Sequence, residues 1–289
     1  MNEKKPKNIA ASVRARLLNI ARDTKRPFDT VLLQYMQERF LYRLAQSKYR
    51  RNFILKGALM FRACGIPLTR PTKDIDFLGR ATPLDDDRIL AIIREFLSIE
   101  CDDGVIFDIE SVSGKRTKED ADYEGLRVFV EAKLDHAKKR LQIDIGFGDV
   151  ITNGPLEVEY PVILDQPVPH LMVYSRETAI AEKFEAIVRL GNLNSRMKDF
   201  YDIIFLTEAE AFNNNALEDA IVRTFIHRNT ELQQAKSIFT QAFKQDKNLN
   251  EMWGAFLKRA RIEPPMSFPD AIDQLQKALA PVLEKKRET

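Results

Sequence analysis

The apolar positions along the chain change period twice. Val13, Leu17 and Ile20, then Leu32, Met36, Phe40 and Leu44, recur at three- and four-residue spacing, which predicts helices across residues 1–50. In the middle the period shortens. Phe53-Ile54-Leu55 is a short apolar run that stops before Gly57, and Ile75 and Phe77 alternate with charged residues. Leu126, Val128, Val130, Ala132 and Leu134 alternate, and Leu141, Ile143, Ile145 and Phe147 do so again, which predicts a hairpin turning around His136-Ala137-Lys138-Lys139-Arg140. A helical stretch with Ile89, Ile92, Ile93, Phe96 and Leu97 interrupts these strands. From about Ser175 the helical period returns in three stripes: Ile180, Phe184, Ile187 and Val188; Phe200, Ile203 and Ile204; Ile272, Leu275, Leu279 and Leu283. Ser267 and Asp270 mark the start of the last helix. The Pro-containing segment 161–169 is the expected boundary between an α/β part and an all-helical part.

Composition narrows the classes. At 289 residues, 44% apolar and 30% charged, the chain reads as an ordinary globular protein able to bury a proper core. No stretch approaches a membrane span, and Met1 to Pro6 holds no apolar signal region. Cys64 and Cys101 cannot build a disulfide framework, so a reducing cytoplasm is the expected compartment. The net charge of +2 hides an asymmetry, because residues 1–50 hold 12 Lys and Arg against 4 Asp and Glu. That surplus suits either contact with nucleic acid or the solvated faces of amphipathic helices.

The stretch richest in chemistry is Arg70-Pro71-Thr72-Lys73-Asp74-Ile75-Asp76-Phe77. In a strand, residues two apart share a face about 6.5–7 Å apart. Ile75 and Phe77 then face the core while Asp74 and Asp76 stand together on the other side, repelling each other unless a cation such as Mg²⁺ intervenes. Asp144 sits within the apolar run 141–147, where acids are depleted. It is either a third site carboxylate or a solvent-facing residue of a one-sided sheet. Lys56, Gly57 and Ala58 form a strand-to-helix turn that either brings backbone N–H groups to a phosphate or merely makes the turn. Lys183 lies at the edge of an apolar stripe, away from the polar face of Glu182, Glu185 and Arg189, and either snorkels or enters a site. Asp199 and Asp202 share a helix face, where Arg196 and Lys198 are alternative partners in a purely structural network.

Taken in order, Leu55-Lys56-Gly57-Ala58, Arg70-Pro-Thr-Lys-Asp74-Ile-Asp76, Ile143-Asp144-Ile-Gly-Phe-Gly148-Asp149, Ala181-Glu-Lys183 and Arg196-Met-Lys-Asp199-Phe-Tyr-Asp202 resemble the AbiEii family, nucleotidyltransferase-like toxins of type IV toxin–antitoxin and abortive-infection systems related to the MenT toxins. The resemblance runs from Phe53 to Leu206. It implies an α+β fold, with a DNA polymerase β-like nucleotidyltransferase core and mixed sheet over residues 1–170 and a helical C-terminal lobe over 171–289. It makes Asp74, Asp76 and Asp144 ligands of Mg²⁺, as two ions. It gives Lys183 to the nucleotide phosphates with Lys56, Gly57, Ala58 and Asp202, and makes Asp199 an essential acid. The implied reaction moves a nucleotide from an NTP to RNA, above all the tRNA 3′ end, and the implied partner is an antitoxin encoded nearby. A protein acceptor, or a binding module without turnover, are the alternatives. Gly57 is followed by Ala58, Leu59 and Met60, where the family commonly places a Ser or Thr. The cations of the N-terminal helices, with Lys138, Lys139 and Arg140, are expected along the RNA backbone. His136, His170 and His227 lack zinc spacing, no nucleophile elbow or P-loop is present, and Trp253 reads as core.

Overall fold

The computed structural model describes residues 8–66, 72–80, 85–120, 123–208 and 213–283. The chain divides into two compact units, one of Met1–Gly148 with Leu156–Val173 and one of Asp149–Pro155 with Tyr174–Thr289.

In the first unit the elements run α1 (Ile9–Asp23), α2 (Phe28–Gln46), β1 (Phe53–Lys56), α3 (Gly57–Ala63), β2 (Asp74–Gly79), α4 (Asp86–Leu97), β3 (Val105–Asp120), β4 (Tyr123–Leu134), β5 (Ala137–Phe147), β6 (Leu156–Glu159) and β7 (His170–Val173). The strands form one sheet in the order β3-β4-β5-β2-β1-β7-β6. It is mixed: β2 pairs in parallel with β5 and β1 with β7, and the other pairs are antiparallel. The alternation in the sequence explains its two faces. Ile75, Phe77, Leu126, Val128, Val130, Leu141, Ile143 and Ile145 are all buried on one side. The aromatic rings of Phe40, Phe96, Phe53 and Phe77 pack edge to face within the same unit.

The hairpin between β4 and β5 is tighter than the sequence suggests. The turn is Asp135-His136, with Asp135 at φ 53°, and β5 already begins at Ala137. Lys138, Lys139 and Arg140 therefore stand in the strand, opposite Lys133, Ala132 and Glu131, rather than in a loop. Lys139 pairs with Asp29 at 2.6 Å, and the Arg140 guanidinium lies 4.0 Å from the centre of the Phe129 ring. Two cations of the basic N-terminal region are buried. Arg43 is buried against Asp103 (2.8 Å) and donates to the Val105 carbonyl (3.0 Å), while Arg39 is fully buried between the Tyr35 and Tyr42 rings and donates to the Pro167 carbonyl. Arg39 and Arg43 are thus tied into the first unit, whereas Lys138 and Arg140 are exposed. Segment 161–169 is also fixed to α2, because the Ile163 N–H donates to Glu38 Oε2 at 3.0 Å.

The second unit is helical: α5 (Arg176–Leu190), α6 (Met197–Glu208), α7 (Asn214–His227), α8 (Gln241–Lys244), α9 (Lys247–Ala260) and α10 (Phe268–Leu283). Ser175 caps α5 by accepting the Thr178 N–H, and Ser267 accepts the Asp270 N–H at the start of α10. Trp253 is 2% exposed and donates its indole N–H to the Met266 carbonyl at 2.8 Å, which agrees with its reading as core.

The Arg43–Asp103 pair joins α2 to the start of β3 with both side chains out of water. Asp103→Asn strands a buried guanidinium and is expected to cost about 3–5 kcal/mol in urea unfolding. The double variant Arg43→Met/Asp103→Leu removes both charges and is expected to recover most of that loss.

Candidate active site

Register places charge on the sheet face opposite the core. Lys56 on β1 is the partner of Asp76 on β2, Asp76 of Asp144 on β5, Asp144 of Arg127 on β4, and Arg127 of Lys115 on β3. Directly paired residues share a face. Five adjacent strands thus present one row reading lysine, aspartate, aspartate, arginine, lysine. Asp74 stands on the same face one row along, opposite Gln142. As the alternation predicts, Ile75 and Phe77 are buried while Asp74 and Asp76 are only partly covered.

Gly57 is needed where β1 turns into α3. Its φ is 66°, and a Cβ there would lie 2.0 Å from Asp76 Oδ2. The glycine accommodates both the left-handed backbone and the Asp76 carboxylate packed against it. Ala58, Leu59 and Met60 are buried, so the three side chains after the glycine all serve the core.

Asp144 is the most enclosed of the three acids. Arg127 holds both its oxygens, Nε to Oδ1 at 2.7 Å and Nη2 to Oδ2 at 3.0 Å, and Gln142 adds a third hydrogen bond at 3.0 Å. Among the described residues no group of three or more His, Cys, Asp or Glu side chains is arranged to hold a metal ion. An all-oxygen pair from Asp74 and Asp76 suits a hard cation such as Mg²⁺. Asp144 already accepts three hydrogen bonds, one at Oδ1 and two at Oδ2.

Lys183, Asp199 and Asp202 meet in the second unit. The Lys183 ammonium lies 2.8 Å from Asp199 and 2.9 Å from Asp202, both carboxylates being almost fully buried, and Arg196 reaches Asp199 at 3.1 Å. Burial works against the lysine's charge, but the two carboxylates outweigh it and hold the ammonium well above the usual lysine range. Burial likewise pushes the Asp199 carboxyl up, and Lys183 and Arg196 reverse this to leave it below its ordinary value. Lys183 thus neither snorkels nor stands alone. Glu185, read from the sequence as part of a polar face, is fully buried and accepts from Arg189, Arg228 and Thr230.

Arg127 escaped the sequence reading. Its only signal is a cation within the alternation 126–134, and its partner becomes visible only through the register of β4 and β5. A cavity of about 900 Å³ lined by Arg39, Tyr42, Cys101 and Ile106 among others shares no residue with the charged row.

The sequence model of the nucleotidyl transferase AbiEii toxin, type IV toxin–antitoxin system, matches residues 39–278. The chain belongs to the AbiEii family. That makes it a nucleotidyl-transferring enzyme of a toxin–antitoxin system, with an antitoxin as the implied partner. Solved structures share its fold. MenT4, a nucleotidyltransferase toxin from Mycobacterium tuberculosis H37Rv, superposes with a TM-score of 0.57 at 16% identity, over 96% of this chain and 91% of that one. JHP933 from Helicobacter pylori superposes with a TM-score of 0.52 at 17% identity, over 88% of this chain and 92% of that one. No curated protein sequence matches. Among the described residues of this AbiEii chain no helix is long and apolar enough to cross a membrane.

Three outcomes follow from these geometries. Gly57→Ala is expected to cost about 1–2 kcal/mol in thermal unfolding from backbone strain, and to impair nucleotidyl transfer further by displacing Asp76. Lys183→Met leaves two carboxylates buried together and is expected to cost about 3–5 kcal/mol. The pairing of Asp199 contributes fully above its ordinary value of 3.8 and fades as pH falls through its lowered value. Lys183 contributes fully below 10.5, and its share is lost only as pH rises through its raised value. The stability gap between wild type and Asp199→Asn is therefore expected to stay flat through neutral pH and to close in acid, as read by denaturant unfolding across that range.

Proposed function

We propose that this AbiEii toxin is an Mg²⁺-dependent enzyme that transfers a nucleotide from an NTP to the 3′ end of tRNA in the cytoplasm, which blocks translation. The observation that carries this is the pair Asp74 and Asp76 on one strand face, with Gly57 shaped to receive the second carboxylate. In this reading residues 1–170 form the nucleotidyltransferase domain and 171–289 the helical one.

Asp74 and Asp76 are the residues that would hold a divalent cation, with Asp144 as the third acid once its hydrogen bonds to Arg127 and Gln142 are exchanged. The bound ion supplies charge neutralisation for the triphosphate and activation of the attacking hydroxyl. Asp144 stands opposite Asp76 and is placed to orient the acceptor 3′-hydroxyl or take its proton. Lys56, Gly57 and Ala58 offer a side-chain cation and main-chain N–H groups to phosphates, and Asp76 stays fixed because no side chain at position 57 competes for its space. Lys183 is assigned to the nucleotide phosphates, while Asp199 and Asp202 keep it charged and in place.

Incubation with each α-³²P-labelled NTP, Mg²⁺ and total tRNA tests the reaction. Wild type is expected to label tRNA from one preferred NTP. Asp74→Ala is expected to lose about 100-fold or more of that activity, and its toxicity, while keeping its melting temperature. Label on protein would replace the acceptor. An Asp74→Ala variant that remains active and toxic would overturn the site.

A further inference from the structure

The open face of β4 and β5 continues from Asp144 toward the hairpin. On β5 the residues sharing the side of Asp144 are Gln142, Arg140 and Lys138, and their partners on β4 are Phe129, Glu131 and Lys133. Same-face positions follow each other about every 6.5–7 Å, so Arg140 stands roughly 13 Å and Lys138 roughly 20 Å along the strand from Asp144. Arg140 and Lys138 are exposed, and Phe129 and Lys133 are partly exposed. Among the described residues, no side-chain ion pair or hydrogen bond engages Arg140, Lys138 or Lys133. The Arg140 guanidinium lies 4.0 Å from the centre of the Phe129 ring, a diagonal contact across the two strands. A guanidinium is planar, so a ring against one side leaves the other side for a second flat partner. Phe129 is thus an aromatic residue on the wet face of the sheet, capped by a cation whose hydrogen-bond donors are free.

We infer that this strip of β4 and β5 carries the single-stranded 3′-terminal segment of the acceptor RNA, with one base stacked on Arg140 and the backbone phosphates beyond it against Lys138 and Lys133. This rests on the RNA-acceptor reading and adds to it the surface that leads the 3′-hydroxyl to Asp144. The nucleotide keeps its place at the turn of Lys56, Gly57 and Ala58, because β2 lies between β1 and β5 and sets Asp76 between the two substrates. Every base has a flat π face, so a ring-and-guanidinium platform accepts an unpaired base of any identity. A base held in a duplex is already stacked on its neighbours, which is why the platform suits a single strand. Cations spaced along the strip draw in the backbone that follows. The acids of this part of the face, Glu131 on β4 and its partner Asp108 on β3, lie on the side away from β2. A polyanion therefore runs along β5, where only Gln142, Arg140 and Lys138 precede Asp144 on that face.

Fluorescence anisotropy of the full-length protein with a short labelled single-stranded RNA, titrated at several salt concentrations, tests this alongside the KM for tRNA and for NTP in the transfer assay. Arg140→Ala is expected to weaken RNA binding and raise the tRNA KM by about tenfold, within the range of one lost stacking contact, with the NTP KM and the melting temperature unchanged. Phe129→Leu, which keeps apolar bulk but not the ring, is expected to fall between wild type and that variant. Lys138→Gln is expected to lose about threefold in affinity and to flatten the slope of log affinity against log salt by about 0.7. Glu131→Gln removes a repelling charge and is expected to tighten binding. Lys247→Gln, an exposed charge change in the other unit, is expected to bind as wild type does. Should wild type label tRNA while folded Arg140→Ala and Lys138→Gln bind RNA unchanged, the strip is overturned and the transfer reading stands. An NTP KM raised as much as the tRNA KM, or an equal loss in Lys247→Gln, overturns the strip as well. Label on protein in place of RNA overturns the acceptor reading and the strip with it.

Discussion

The parallel pairing of β2 with β5 governs what stands on the open face of the sheet. With Asp76 opposite Asp144, the antiparallel neighbours bring Lys56 to one end of the acidic pair and Arg127 to the other. A slip of one residue between the two strands would turn Ile143 or Ile145 toward Asp76 and put Asp144 into the core. Burial of the opposite face forbids that slip, because Ile75, Phe77, Ile143 and Ile145 have almost no exposure where they are. The same hydrophobic burial that stabilises the sheet therefore holds like charges beside each other. The geometry of the site is set on the face it does not use.

Two ways of pairing carboxylates with cations appear in this molecule. On the sheet, Asp144 is held by an arginine whose side chain is 39% exposed, and Asp74 and Asp76 are only partly covered. In the helical unit, Asp199 and Asp202 are buried and a lysine lies between them at salt-bridge distance from both. The first arrangement can exchange partners cheaply, since its cation is already in contact with water. The second cannot, because releasing Lys183 would strand two buried acids. The difference separates a charged face in contact with water from a buried network that fixes the position of its own lysine.

The resemblance between this chain and the solved structures of MenT4 and JHP933 lies in the fold, at 16–17% identity. Within that fold the chain makes its own choices. Ala58, Leu59 and Met60 turn into the core, leaving main-chain N–H groups and Lys56 as the polar groups of that turn. Two cations of the N-terminal basic surplus, Arg39 and Arg43, are buried, while Arg16, Arg22, Lys25 and Lys48 are exposed. Arg39 and Arg43 tie α2 to Pro167 and Asp103, and Lys139 ties β5 to Asp29. Charge counted along a sequence gives the sign of a region but not which charges water and ligands can reach.

Periodicity by itself determined the helices of both ends, the β4–β5 hairpin, the core face of each strand and the pairing of Asp74 with Asp76 on one side, because each of these depends on residues a few positions apart. The short strands β6 and β7, the long edge strand β3 and the tight turn at Asp135 were not legible, since short or charge-rich strands carry too few apolar repeats. The row from Lys56 to Lys115 and the hold of Arg127 on Asp144 were also out of reach. Those depend on register between strands up to 68 residues apart (Asp76 to Asp144), and register is decided by the packing of the whole core face. Local spacing chose which side each charge faces, and only the assembled sheet chose its neighbours.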